Sequence, residues 1–281
     1  MSEVTLRAAL AQAQRQIEAI DARVLHCYVT GRNAASLIAH DDVALTSAQH
    51  AAYSSLVQRR AAGEPVAYLV GEREFYGRAF KVTPAVLIPR PETELLVSLA
   101  LERLPGPDPA QVLDLGTGSG CIGITLASEC SHLNITACDQ SLAALDVAAM
   151  NVSAWGEGRV GLVHSDWFAG LGAARFDLIV TNPPYVAEGD PHLAQGDLRF
   201  EPPSALAAGV DGLACIRIII TGAAAHLAPG GWLLLEHGYD QAAAVRALLQ
   251  AHGYEAVFTA ADFAGIGRVS GGRLTVPSGG R

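Results

Sequence analysis

Apolar positions recur at helical spacing over the first quarter of the chain. Leu6, Ala9, Leu10, Ala13 and Ile17 share one helical face, and so do Ala48, Ala51, Ala52, Leu56 and Val57. Thr46 stands where it can cap the later of these helices. Gly31 and Gly63-Glu64-Pro65 punctuate the run. The period changes over residues 68–87. Glu74-Phe75-Tyr76 and Ala79-Phe80-Lys81-Val82 flank Gly77-Arg78 and predict a hairpin turning near Gly77. The prolines of Ile88-Pro89-Arg90-Pro91-Glu92-Thr93-Glu94 hold the next stretch extended, with Glu92 and Glu94 in the first turn of a helix reaching Leu104. Pro105-Gly106-Pro107-Asp108-Pro109 is a break.

From Ala110 onward short apolar runs alternate with helical patterns. Strands are expected at 110–115, 134–138, 160–163, 178–180 and 232–235, with a closing pair at 254–259 and 268–276. Helices are expected at 121–129, 141–152, 213–227 (ended by Pro229-Gly230-Gly231) and 239–252. This alternation predicts an α/β fold, a doubly wound, mostly parallel Rossmann-like sheet. The chain divides into a small all-helical N-terminal domain (1–72), a β-hairpin linker (73–88) and the sheet domain (89–281). Residues 277–281 are expected to fray. Residues 186–212 form an irregular loop, long for a compact domain and well placed to cover a site.

Composition narrows the function classes. The chain has 281 residues, half of them hydrophobic, which suffices for one large domain and a small one. No apolar run approaches a spanning helix, and the N-terminus lacks a signal-peptide layout, so a soluble, cytoplasmic protein without membrane contact is expected. A net charge of −9 with only 19 Lys and Arg argues against direct nucleic-acid binding. Five cysteines without a C-x-x-C pair are expected as reduced thiols, with no zinc site or other metal. His26, His40 and His50 lack ligand spacing and are expected to be structural or exposed.

The candidate chemistry lies at strand ends, where open parallel sheets bind ligands. Asp114-Leu115-Gly116-Thr117-Gly118-Ser119-Gly120 turns the first sheet strand into a helix. Gly118, Gly120 and Gly123 fit a dinucleotide fingerprint, while Gly116, Gly118 and Gly120 fit a G-x-G-x-G turn. Asp139 ends the second strand roughly 20 positions beyond, where a carboxylate accepts both ribose hydroxyls or else precedes a helix cap. Asp166 and Trp167 follow the third strand, suited to an adenine amino group and ring, or to simple packing. Asn182-Pro183-Pro184-Tyr185 ends the fourth strand. It is either a strand-ending turn or a rigid cradle. In a cradle, a planar NH2 group gives its N–H bonds to the Asn182 oxygen and a backbone carbonyl and stacks on Tyr185. Arg90, between two prolines, is either linker or a charge lining the site.

Six stretches together resemble the release-factor glutamine methyltransferases, the HemK/PrmC group. They are Leu87-Ile88-Pro89-Arg90-Pro91-Glu92-Thr93-Glu94, the glycine turn 114–120, Ser165-Asp166-Trp167-Phe168, Asn182-Pro183-Pro184-Tyr185, Arg199-Phe200-Glu201-Pro202 and Leu233-Leu234-Leu235-Glu236-His237-Gly238. The glycine turn and the Asn-Pro-Pro-Tyr stretch also occur in adenine-N6 DNA methyltransferases; the Ile-Pro-Arg-Pro-Glu-Thr-Glu stretch is far more specific. Gly267 departs from the family, in which a polar residue is frequent, and is expected to affect only the last strands.

The resemblance implies a class I methyltransferase that moves a methyl group from S-adenosylmethionine, leaving S-adenosylhomocysteine, to the side-chain amide nitrogen (N5) of the Gln in the Gly-Gly-Gln loop of class I peptide-chain release factors. It implies that Gly116, Thr117, Gly118, Ser119 and Gly120 approach the methionine end of the cofactor. Asp139 would hold the ribose, Asp166 and Trp167 the adenine. Asn182 and Pro183 would grip the Gln amide, with Pro184, Tyr185 and Arg90 lining its slot and Asn182 touching both cofactor and substrate. The helical N-terminus would recognise the release factor. Three rivals remain open on the sequence: a nucleic-acid base methyltransferase using the same slot, an NAD-dependent dehydrogenase built on Gly118, Gly120 and Gly123, and a cofactor-binding adaptor without turnover.

Overall fold

The computed structural model describes residues 4–104, 106, 108–156 and 158–275. Pro105 and Pro107 of the expected break, and the expected fraying at 277–281, lie outside the described residues. The chain forms two compact units. One comprises Met1–Glu72 with Ala194–Phe200, the other Arg73–Leu193 with Glu201–Arg281.

The smaller unit is built from α1 (Leu6–Ala13), α2 (Ala19–Thr30), α3 (Ala34–Ala39), α4 (Ser47–Ala61) and α5 (Val66–Val70). The apolar stripes meet in one core around Leu6, Leu25, Tyr53 and Val57. Thr46 caps α4 as expected, in a reciprocal box with Gln49. Gly31 ends α2 at φ +66°, a left-handed conformation that glycine adopts without strain. The segment Ala194–Phe200, expected in the sheet domain, groups with these helices. The Arg60 guanidinium joins Asp21 (2.6 Å) to Asp197 (2.9 Å), and Arg199 donates to the Ala62 carbonyl at 2.7 Å.

His26 is buried in this core, edge-on to Tyr53 at 4.7 Å, and among the described residues neither ring nitrogen has a hydrogen-bond partner. Burial lowers its pKa from the usual 6.5, so the folded unit keeps it neutral. Below that value the unfolded chain takes up a proton that the folded unit refuses, so stability falls as pH falls through about 6. Protection factors of amides in α2 and α4, taken relative to the unstructured exchange rate at each pH, are therefore expected to fall between about pH 7.5 and 5. In His26→Leu that extra acid sensitivity is absent; an equal slope in the variant would refute this account.

The larger unit opens on a hairpin, β1 (Glu72–Phe75) and β2 (Arg78–Lys81). The seven-stranded sheet follows: β3 (Ala110–Leu115), β4 (Leu133–Asp139), β5 (Val160–His164), β6 (Phe176–Thr181), β7 (Leu227–Glu236), β8 (Tyr254–Ala261) and β9 (Gly267–Leu274). The strands lie in the order β5-β4-β3-β6-β7-β9-β8, parallel except for β9, which runs antiparallel to both neighbours. The order reverses between β3 and β6, which opens a crevice at their C-terminal ends. Helices α6 (Glu94–Arg103), α7 (Cys121–Glu129), α8 (Leu142–Trp155), α9 (Ala214–His226) and α10 (Ala242–Ala251) cover the sheet.

Alternate residues of the central strands feed the two faces. Val112, Leu178, Val180 and Leu234 pack with Leu96, Val97, Ile124 and Leu126. Leu113, Leu115, Ile179 and Leu233 pack with Ile216, Ile219, Val245 and Leu249. Burial on both faces explains the unbroken apolar runs of β3 and β6. The hairpin is more than a connector: Phe75 and Phe80 enter the first of these cores, and the Asn151 side chain of α8 accepts from Lys81 N (2.7 Å) and donates to Lys81 O (3.0 Å).

One strand differs from expectation. β7 begins at Leu227 and runs through Pro229-Gly230-Gly231 instead of starting beyond it at Trp232. A bulge makes this possible, with Phe176 pairing with Leu227 but Leu178 with Trp232. A Cβ on Gly231 would stand 3.0 Å from the carbonyls of Ala228 and Asp177, so the bulge has no room for a side chain.

Candidate active site

A cavity of about 340 Å³ sits over the C-terminal ends of β3, β4, β5 and β6. Its floor is the turn between β3 and α7. Gly116 N and Thr117 N both donate to the Cys138 carbonyl at 2.9 Å, which turns the chain sharply out of the sheet. Gly118 has φ +56°, and no atom lies within 4 Å of where its Cβ would be, so its backbone faces open space. Below the turn, buried Asp114 accepts from the Thr117 hydroxyl (2.6 Å) and Gly123 N (2.9 Å). Desolvation pushes its carboxyl up to about 6. Gly123 thus packs against Asp114 and does not reach the cavity.

The walls carry most of the residues singled out from sequence. Asp139 accepts from Gly118 N (2.9 Å) and Ser141 N (2.9 Å), and so ties the glycine turn to the start of α8. The helix cap itself is Ser141, whose side chain accepts from Ala144 N. Asp166 and Trp167 line the cavity beside it. Trp167 is held at φ +47°, its carbonyl gripped by the Ser165 hydroxyl at 2.7 Å, with its ring 3.8 Å from the Gly116 Cβ position. Loop residues Pro202, Ser204, Ala205 and Ala207 close another side. The loop 186–212 is ordered there by Val186, whose N–H donates to Leu206 O and whose carbonyl accepts from Ala208 N, both at 2.9 Å.

Asn182 follows β6 and reaches the cavity, as does Pro184. The Asn182 Nδ2 donates to the Thr93 hydroxyl at 3.1 Å. Among the described residues nothing donates to the Asn182 Oδ1 or to the Pro183 carbonyl. Tyr185 is half-buried; its hydroxyl donates to Glu236 Oε1 at 3.1 Å, and its carbonyl accepts from Gln241 at 3.0 Å. The structure therefore gathers Gly116, Thr117, Gly118, Ser119, Asp139, Asp166, Trp167, Asn182 and Pro184 around one cavity.

It leaves four others outside the lining. Gly120 is the N-cap of α7, with Ile124 2.7 Å from its Cβ position. Pro183 is buried and Tyr185 stands behind the wall. Arg90 does not line the cavity: its guanidinium pairs with Glu201, which also accepts from Ile88 N at 3.0 Å. Arg90 is a brace between the stretch before α6 and the loop.

Three residues of this site carried no role in the sequence reading. Glu201 is the fully buried partner of Arg90. Thr93 donates its hydroxyl to Glu236 Oε2 at 2.7 Å, and Glu236 receives Tyr185 on its other oxygen. A signal for Glu236 was present: it is a lone carboxylate closing the apolar strand Leu233-Leu234-Leu235. Such a group is buried at the sheet's ligand edge and needs donors there. Burial pushes it up to about 7. The thiols of Cys121 and Cys138, close to the cavity, are pushed up to about 12 by burial and stay protonated.

Residues 5–71 match the PrmC N-terminal domain family and residues 92–197 the methyltransferase small domain family. The release factor glutamine methyltransferase of Burkholderia pseudomallei is 53% identical over 264 residues, covering 92% of this chain and 93% of its own. That of Xylella fastidiosa is 50% identical, covering 95% and 97%. A 16S rRNA methyltransferase of T. thermophilus, solved in complex with AdoMet and guanosine, superposes with a TM-score of 0.54 at 26% identity, over 72% of this chain and 49% of its own. With about half of its residues shared along nearly the whole length of such relatives, this chain belongs to the release factor glutamine methyltransferase family.

Proposed function

We propose that the protein transfers a methyl group from S-adenosylmethionine to the side-chain amide nitrogen of the Gln in the Gly-Gly-Gln loop of class I peptide-chain release factors. The observation that carries this reading is Asn182, which lines the cavity with an Oδ1 that has no donor among the described residues, followed directly by a Pro183 carbonyl that has none either. The cavity fits the cofactor. It is of ordinary ligand-pocket size, its floor is open backbone at Gly118, and Asp139 presents a carboxylate between turn and wall. The T. thermophilus relative holds AdoMet on the same fold.

When bound, S-adenosylmethionine supplies an electrophilic methyl group. Gly116–Gly120 would receive its methionine end and Asp139 its ribose hydroxyls. Asp166 would accept from the adenine amino group and Trp167 would cover the ring. The two acceptors at 182 and 183 would take the two N–H bonds of the substrate amide. That fixes the plane of the NH2 group and turns its lone pair toward the cavity without prior deprotonation. The same oxygens point negative dipole ends at the nitrogen as positive charge grows on it. Pro183 and Pro184 keep the backbone stiff, so little reorganisation is needed.

The test is mass spectrometry of purified, unmodified release factor after incubation with the protein and S-adenosylmethionine. One added methyl on the loop Gln is expected. Label transferred to DNA with none on release factor would overturn the reading.

A further inference from the structure

The substrate grip works only if Asn182 presents its oxygen, yet an Asn amide has two orientations of nearly equal shape with opposite hydrogen-bonding character. We propose that Thr93 and Glu236 are positioning residues: their hydrogen-bond chain fixes Asn182 with Oδ1, rather than Nδ2, toward the substrate amide. The inference rests on the function proposed above and adds what enforces its geometry.

The few hydroxyl protons available decide the orientation. Thr93 has one hydroxyl proton, and it is committed to Glu236 Oε2 at 2.7 Å. Tyr185 has one, committed to Glu236 Oε1 at 3.1 Å. An ionised carboxylate brings none and accepts both. The Thr93 oxygen can then only accept from Asn182, so Nδ2 must face Thr93 and Oδ1 must face away, as observed at 3.1 Å. If Glu236 takes up a proton on Oε2, the chain can reverse. The carboxyl then donates to Thr93, the Thr93 proton turns to Asn182, and Oδ1 becomes its acceptor. Nδ2 would now confront the substrate N–H bonds with its own, donor against donor.

The surroundings keep Glu236 near that balance. Around it stand Thr93 and Glu92 ahead of α6, Tyr185 after β6, Cys121 at the start of α7 and Arg268 on β9. Burial and Glu92 favour the protonated form, while the two hydroxyls and Arg268 favour the charged one. The group lies about 7 on balance, so the grip is set correctly above neutrality and lost below it.

The experiment measures methylation of purified release factor by the full chain from about pH 6 to 9, with wild type, Glu236→Gln, Thr93→Val and Thr93→Ser. Cofactor affinity by calorimetry and Tm are recorded for each. Wild-type kcat is expected to rise through pH 7 and level off. Glu236→Gln, isosteric but without a titrating group, is expected to lose that step and, like Thr93→Val, to lower kcat about 10- to 100-fold with cofactor Kd unchanged. Thr93→Ser should recover most of what Thr93→Val loses. The inference is overturned if Glu236→Gln keeps the pH step, if kcat stays within about twofold of wild type in both variants, or if the losses follow Tm and cofactor affinity. An active wild type with indifferent variants removes this inference alone. A wild type inactive on release factor removes the proposed function, and this inference with it.

Discussion

Asn182→Ala is expected to stop methyl transfer, lowering kcat by about 10³-fold, while S-adenosylmethionine still binds. The side chain offers an unengaged acceptor at the cavity edge, and Ala offers nothing in its place. Without it one substrate N–H bond is ungripped and the nitrogen lone pair is no longer aimed. The effect falls on kcat because the interaction matters most as charge develops on nitrogen. Cofactor affinity is expected to hold, since the turn, Asp139 and Trp167 are built independently of Asn182. Single-turnover methylation with calorimetry on the same sample checks both halves. A variant with near-normal kcat would leave Asn182 without its proposed role.

Glu201→Ala is expected to cost about 3 kcal/mol of stability and to lower Tm by roughly 10 °C. The Glu201 side chain is fully buried and holds two donors, the Ile88 amide and the Arg90 guanidinium. Removing it leaves a half-buried cation and a backbone N–H without partners. The loss also reaches the cavity. Glu201 ties the strip containing Val86 and Leu87 to the loop carrying Pro202 and Ser204, and all four line the site. The KM for S-adenosylmethionine is expected to rise along with the fall in Tm. Arg90→Ala is expected to be milder, because 30% of the Arg90 side chain already meets solvent. A thermal scan that moves by less than about 2 °C would show that the brace carries little.

The two variants separate kinds of residue that looked alike in the sequence. Asn182 and Arg90 were both polar groups beside prolines. One turns out to face the cavity, and the other is consumed by a partner 111 positions away. Stiff backbone on either side is a local property and was readable. What the side chain meets is not local.

The sequence by itself determined whatever depends on neighbours along the chain. Periods of apolar residues set helix and strand, including the box capping α4 and the runs of β3 and β6 that cross the core. The glycine turn, the acid ending β4 and the amide ending β6 were legible because strand ends in a parallel sheet all emerge at one edge. Tertiary structure alone decided the rest. β7 absorbs Pro229-Gly230-Gly231 because a bulge against β6 accommodates it. Ala194–Phe200 groups with the helices because Arg60 and Arg199 hold it. The Asn182–Thr93–Glu236–Tyr185 chain joins groups up to 143 positions apart. The physical reason is the same in each case: periodicity and turn chemistry act over a few bonds, whereas a buried polar group takes its role from whichever partners the packed chain brings within 3 Å of it.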